Sequence, residues 1–268
     1  MTPTGRTLTI DSFPDSAFRH LEADAIVCID VMLSGTTLVS AVAQGRRCFV
    51  AGSLAEARRR AAALPDVCLM GSGEDGRLEG FEQPDSPTSL LAQPVARPLL
   101  LCSPPGTSLI ANAAGARRVL VASFRNLSAT ARHLANCRRV ALLGAGCREE
   151  FSCEDQMAAA WIGVRLARQG FEPGDRRTAA LLQRWGDIEP SLAGWGNSAE
   201  GLRREGRAEE LEFVLGHVDD VAVACVYRAG EVSPPVRVAS GTDSESSLTP
   251  REPVYAAEAP VADSGSRL

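Results

Sequence analysis

Apolar runs of strand length recur along this chain of 268 residues, and segments of helical pattern fall between them. Candidate strands cover 25–31, 47–51, 67–70, 98–102, 118–122 and 138–143, with another at 219–227. Candidate helices cover 36–44, 53–64, 106–114 and 126–135. Alternation of this kind marks βαβ units, whose right-handed crossovers set helices on both faces of a largely parallel or mixed sheet. The expected fold class is α/β, in a three-layer sandwich-type arrangement. Ser53 and Asn126 are placed to cap the helices that follow them. The rhythm breaks at 71–82, where Asp75-Gly76 suits a hairpin turn and 77–81 alternates like an edge strand. Pro84-Asp85-Ser86-Pro87 then makes a rigid corner. From 153 to about 216 the pattern is helical, and Glu209, Glu210 and Glu212 with Arg203, Arg204 and Arg207 read as solvated helix surface. Three parts are expected: an N-terminal extension over 1–20, an α/β domain over 21–232, and a disordered tail over 233–268, rich in Pro, Ser, Glu and Asp.

Composition narrows the function classes. A net charge of -5 argues against a nucleic-acid binder, which needs a basic face. No apolar run is long enough to cross a bilayer, and no N-terminal signal pattern is present, so a soluble, cytoplasmic protein is expected. Every basic residue is arginine. Without lysine there is no Schiff base, no P-loop lysine and no Ser–Lys dyad. None of the eight cysteines forms a CxxC pair. Cys28, Cys68, Cys102 and Cys225 lie in strand-like runs and read as structural thiols. Cys147 and Cys153, in and after a glycine-rich loop, are weaker candidates for reactivity or metal ligation.

The candidate chemistry sits at strand ends. Gly144-Ala145-Gly146 closes an apolar run, and Ser152-Cys153-Glu154-Asp155 opens a long helix. Paired acids at a helix start suit a divalent cation, and they equally suit the helix macrodipole. Asp30 ends the run 25–29, and in α/β proteins ligands bind outside the carboxyl ends of strands. A haloacid-dehalogenase-type site is excluded, because Met32 stands where a second acid is needed and lysine is absent. Thr36-Thr37 and Ser103-Pro104-Pro105-Gly106-Thr107 are strand–turn–helix corners that could face an anion. The two prolines remove donors from the second.

Taken in order, these corners resemble the 2-phosphosulfolactate phosphatase family (ComB type). The pieces are Ile29 through Thr37, Gly71-Ser72-Gly73 through Gly80-Phe81, Pro84-Asp85-Ser86-Pro87, Ser103 through Thr107, Ser123-Phe124-Arg125-Asn126, and Ala145-Gly146 through Asp155. The similarity spans roughly 20–230, and it implies a ComB-like fold and Mg²⁺-dependent hydrolysis of a small phosphate ester on the route to coenzyme M. It further implies that Asp30, Glu154 and Asp155 hold Mg²⁺ and act in catalysis. Thr36, Thr37, Ser86, Gly106, Thr107, Asn126 and Gly146 would then contact a small anionic phosphorylated substrate. No nucleic-acid or membrane partner is implied, and a homo-oligomer is left open.

The departures fall on polar positions. Leu33 stands where the family has arginine, Ser72 where it has glutamate, Pro84-Asp85 replaces Gly-Asn, and Ser103-Pro104-Pro105 replaces Thr-Thr-Asn. Leucine cannot replace the bidentate grip of arginine on an oxyanion. Two alternatives therefore stand beside a divergent phosphatase: a catalytically degenerate ligand- or partner-binding module, and a different reaction on a small anionic substrate.

Overall fold

The structure, a computed structural model, describes residues 5–73, 76–77, 80–147 and 150–236, with 76–77 described by backbone alone. The tail expected to be disordered lies outside the described residues from 237 onward. The glutamate two residues beyond Ser72 and the first turn residue of the expected hairpin also lie outside them.

Eleven strands form one mixed sheet, ordered β5-β4-β6-β3-β11-β10-β7-β2-β8-β1-β9. The strands are β1 (Arg6–Ser12), β2 (Ala25–Ile29), β3 (Cys48–Val50), β4 (Cys68–Gly73), β5 (Gly76–Arg77), β6 (Leu99–Cys102), β7 (Val119–Ala122), β8 (Arg139–Gly144), β9 (Phe171–Pro173), β10 (Cys225–Arg228) and β11 (Glu231–Ser233). One parallel block is β4-β6-β3 and the other is β7-β2-β8-β1-β9. The β10–β11 hairpin is inserted between them, antiparallel to β7 on one side and β3 on the other. The two parallel blocks consequently run in opposite senses.

The helices are α1 (Ser34–Ala43), α2 (Leu54–Ala63), α3 (Pro87–Leu91), α4 (Gly106–Asn112), α5 (Leu127–His133), α6 (Cys153–Ala167), α7 (Arg176–Trp185), α8 (Asn197–Arg204) and α9 (Ala208–Gly216). Helix α1 has no charged residue and is buried at nine of its ten positions. A helix apolar or small all round belongs in an interior. Leu38 and Val39 of α1 and Leu109 and Ile110 of α4 share one apolar cluster with side chains of both parallel blocks. The other face of β1, β2 and β8 packs on α5 and α6 through Leu8, Val27, Leu142, Leu127, Met157 and Ile162. Helix α2 covers Phe49 and Leu100 through Ala57. The three-layer α/β class read from the sequence is the observed one.

Four local expectations need correction. Residues 6–12, assigned to an N-terminal extension, form β1, hydrogen-bonded between β8 and β9. Strand β9 interrupts the stretch expected to be wholly helical. The strand expected over 219–227 begins at Cys225, as β10, because Asp219 is in the left-handed region at φ 55° and the Asp220 carboxylate is engaged by Arg125. Ser53 does cap α2, accepting from the Glu56 N–H. The other cap is Ser123, not Asn126, whose side chain turns back to accept from the Ser123 N–H in a capping box.

Gly35 shows how tightly α1 enters the sheet. A Cβ there would lie 2.3 Å from the Asp30 carbonyl oxygen and 2.7 Å from that of Ala122, both backbone atoms of strand ends. Neither can rotate away. Gly35→Ala is therefore expected to destabilise the chain by about 3 kcal/mol. Thermal unfolding should read this as a melting temperature about 6–12 °C lower; an unchanged melt would show that α1 is not seated this closely.

Candidate active site

Asp30 follows β2 and is partly exposed, whereas Asp85, Glu154 and Asp155 are buried at 1%, 1% and 3% exposure. The Ser34 hydroxyl, at the start of α1, donates to Asp30 Oδ2 at 2.7 Å. Burial pushes the Asp30 carboxyl up to about 7; the Ser34 bond eases this, and the charges of Asp85 and Glu154 add to it. The turn into α4 is pressed against the same carboxylate. A Cβ at Gly106 would lie 2.0 Å from both Asp30 Oδ2 and Ser34 Oγ, so only glycine fits.

Asp155, in the first turn of α6, ties two strand ends together. Its Oδ1 accepts from the Val31 N–H at 2.9 Å, just past β2, and its Oδ2 accepts from the Gly146 N–H at 3.1 Å, just past β8. Gly146 has φ +72°, and a Cβ there would meet the Phe13 ring at 2.8 Å. Burial, then the charges of Asp30 and Glu154, hold the Asp155 carboxyl well above its ordinary value. Glu154 accepts from the Cys153 thiol at 3.4 Å, and its Oε2 would be 3.2 Å from a Cβ at Gly196, so the 193–197 segment packs directly upon it. Burial first, and Glu154 next, push the Cys153 thiol up to about 12, which leaves it a poor nucleophile.

Asp85 joins this group from the proline corner. The Thr37 hydroxyl donates to its Oδ1 at 2.6 Å. Its Oδ2 is buried with no hydrogen-bond partner; Ser103 stands close enough to ease the charge without closing a bond to that oxygen. Burial is the main cause that raises the Asp85 carboxyl. Ser86 caps α3 by accepting from the Ser89 N–H, and its hydroxyl donates to Glu210 Oε1. Glu210 also accepts from the Thr88 hydroxyl at 2.9 Å and is 6% exposed. It is thus not part of a solvated face, as its charge-rich surroundings suggested; it faces the interior and holds the corner.

A model of the 2-phosphosulpholactate phosphatase family matches residues 12–229. The chain belongs to that family. It is 29% identical over 224 residues to a probable 2-phosphosulfolactate phosphatase of Synechococcus sp. (strain RCC307), covering 78% of this chain and 91% of the relative. A protein of the same description from Symbiobacterium thermophilum is 31% identical over 223 residues, covering 80% and 95%. One from Caldicellulosiruptor saccharolyticus is 23% identical over 236 residues, covering 83% and 97%.

Several polar groups that the family resemblance singles out are engaged with the chain itself. The Thr36 hydroxyl donates to the Val31 carbonyl and the Thr107 hydroxyl accepts from the Ser103 N–H. Asn126 donates to the Val121 carbonyl at 3.1 Å and accepts from the Ser123 N–H, so both ends of its amide hold backbone. Leu33 is 7% exposed, in the apolar cluster that contains Phe124 and Met157. The structure therefore gathers Asp30, Asp85, Glu154, Asp155, Thr37, Gly106 and Gly146, while Ser86, Thr36, Thr107 and Asn126 brace it. An open groove of about 540 Å³ beside α5 and α6 carries Arg165 and Arg168 but none of the carboxylates.

Among the described residues, no three His, Cys, Asp or Glu side chains converge on a point that could hold a metal. The donor set is nonetheless hard oxygen, with one buried carboxylate oxygen unpartnered. Mg²⁺ uses one or two carboxylates and completes its shell with water and substrate oxygens, so the residues fit that ion.

The raised carboxyls make stability pH-dependent. Asp30 keeps its proton to about pH 7 when folded but loses it near its ordinary 3.8 when unfolded. The folded state binds more protons between those values, and stability falls as pH rises through that window. His133, held down by burial, acts in the opposite sense. Comparison with Asp30→Asn isolates the site. Between pH 5 and 8, metal-free wild type should lose roughly 2–3 kcal/mol relative to the variant. Denaturant melts at the two pH values would read it, and parallel pH profiles would refute it.

Proposed function

We propose that this chain is a Mg²⁺-dependent phosphatase acting on a small phosphate monoester of the 2-phosphosulfolactate kind. The observation that carries the reading is the neighbourhood of Asp30, Glu154 and Asp155 at the ends of β2 and β8, where Glu154 raises the carboxyls of both others and Asp30 that of Asp155, and where, among the described residues, no arginine forms an ion pair with any of them. Buried carboxylates left unpaired by arginine call for a proton or a cation. Family membership and the names of the relatives support the same reaction class.

Each group has a distinct part in this reading. Asp30 and Glu154 offer oxygens for the ion, and Asp155 fixes the two loops that present them. A bound Mg²⁺ supplies a Lewis acid that neutralises phosphoryl oxygens and lowers the pKa of a water. Helices α1 and α6 both start without a side-chain cap; in α1 the Ser34 N–H is on the Asp30 carboxylate, which leaves the Gly35 and Thr36 N–H groups, with those opening α6, to meet phosphoryl oxygens. Thr36 would contact substrate through its backbone N–H, since its hydroxyl is engaged, whereas Thr37 acts through Asp85, its N–H being on the Leu33 carbonyl and its hydroxyl on that carboxylate. The apolar Leu33 and the Pro104-Pro105 pair favour a second reading, in which the organic part of the substrate carries fewer anionic groups. Among the described residues no helix is long and apolar enough to cross a membrane, and the buried, unbridged thiols of the strands suit a reducing cytoplasm.

The test is phosphate release from a panel of small phosphate esters, 2-phosphosulfolactate and less charged esters included. Release should require Mg²⁺, stop with chelator, and fall at least about a hundredfold in kcat for Asp30→Asn. No release from any ester, or full activity in that variant, would refute the phosphatase reading.

A further inference from the structure

The first turns of α1 set two carboxylates side by side. Ser34 and Thr37 are three residues apart on the helix, so their side chains are neighbours on one face. The Ser34 hydroxyl holds Asp30 Oδ2 at 2.7 Å and the Thr37 hydroxyl holds Asp85 Oδ1 at 2.6 Å. Asp85 is 1% exposed, and its Oδ2 has no hydrogen-bond partner. A carboxylate oxygen withdrawn from water without a donor is costly unless a cation or a proton reaches it. This side chain cannot relieve itself by swinging outward. Its N–H donates to Ser72 Oγ at 3.1 Å, its carbonyl accepts from Arg207 Nη2, and the next residue, Ser86, donates to Glu210. The corner is thus held at its backbone from β4 and the start of α9, with the Asp85 carboxylate near enough for Asp30 to feel its charge.

We propose that Asp85 is a further residue of the divalent-cation site, sharing with Asp30 a hard cation bound directly or through one water, with Thr37 orienting it. This rests on the Mg²⁺ reading above. An anionic phosphoryl group is the poorer partner for Oδ2, because two anions would face each other with only the Ser103 hydroxyl near them. Arg207 does not fill the role, since its Nη2 is on the Asp85 carbonyl. The positioning is divided between Thr37, which fixes Oδ1, and Glu210, which fixes the corner.

The test is Mn²⁺ binding to the full-length, substrate-free protein, read by electron paramagnetic resonance and by competition with Mg²⁺. Wild type, Asp30→Asn, Asp85→Asn and Glu209→Gln are compared, Glu209 being an exposed acid of α9 that serves as a control for lost charge. Metal-free melts establish that each variant is folded, and Asp85→Ser takes the place of Asp85→Asn should the latter not melt cooperatively. Asp85→Asn is expected to weaken Mn²⁺ binding at least about tenfold while Glu209→Gln binds as wild type does. If Asp30→Asn weakens binding and Asp85→Asn does not, the role of Asp85 is overturned and the metal reading survives. If wild type ignores Mn²⁺ and Mg²⁺, both fall together. Equal weakening by Glu209→Gln and Asp85→Asn would reduce the effect to net charge and overturn the assignment.

Discussion

Helix α1 is the element on which the site hangs. Because it is buried at nine of ten positions, each of its hydroxyls must find a partner inside the protein. Ser34 finds Asp30, Thr36 the Val31 carbonyl, Thr37 Asp85, and Ser40 both the Thr36 carbonyl and the Arg125 guanidinium. A made hydrogen bond contributes only about 1 kcal/mol net, but an unmade one in the interior costs about 1–3. That asymmetry fixes the rotation and depth of α1 relative to the end of β2 and to the proline corner. The site geometry follows from satisfying a buried helix.

The charge balance follows from where the arginines go. Arg125, 9% exposed, is engaged by Asp220 and Ser40 and lies 5.3 Å over the Phe213 ring. Arg46, 3% exposed, donates to the carbonyls of Arg97 and Gln93. These buried cations are neutralised by, or braced on, parts of the fold remote from Asp30. Arg207 reaches the neighbourhood of Asp85 and binds its backbone rather than its carboxylate. Carboxyls therefore gather at the β2 and β8 ends, where burial first and their mutual repulsion next hold Asp30 and Asp155 above their ordinary value. Elsewhere carboxylates such as Asp220 lie below their ordinary value because an arginine faces them. The contrast identifies the strand ends as the place where the fold leaves a counter-charge to be supplied.

The sequence shows the strands that are buried on both faces and hides the others. AIVCI of β2 and VLVA of β7 are unbroken apolar runs, and so is LLLC of β6. Strand β1 buries only Leu8, Ile10 and Ser12 of RTLTIDS, so its alternation reads as a polar extension until β8 and β9 pair with it. Strands β9 and β11 are three residues long and take their conformation from neighbours. The site divides the same way. Asp30, Glu154 and Asp155 were legible because they sit where a strand ends or a helix begins. Asp85 and Glu210 were not, because their roles depend on contacts across 48 residues to Thr37 and 124 residues to Ser86. A glutamate among arginines on an amphipathic helix carries no local sign that its face is turned inward.

Leu33 connects the core to the electrostatics. At the position where the family resemblance expects arginine, this chain places a leucine that packs inward with Phe124 and Met157. An arginine pointing the same way would bury a guanidinium among apolar side chains, which the cluster does not tolerate without a partner. The leucine removes that demand and adds apolar burial of about 1.5–3 kcal/mol. It also removes a positive charge three residues from Asp30, while Asp85 adds a negative one across α1. Both changes move the site in one direction, toward greater net negative charge. Under the proposed phosphatase reading, anion recognition would rest on helix N-termini and a bound cation rather than on a side-chain clamp. A substrate carrying a second anionic group would lose most from this shift, because a cation shared with the phosphoryl group can neutralise only what it touches.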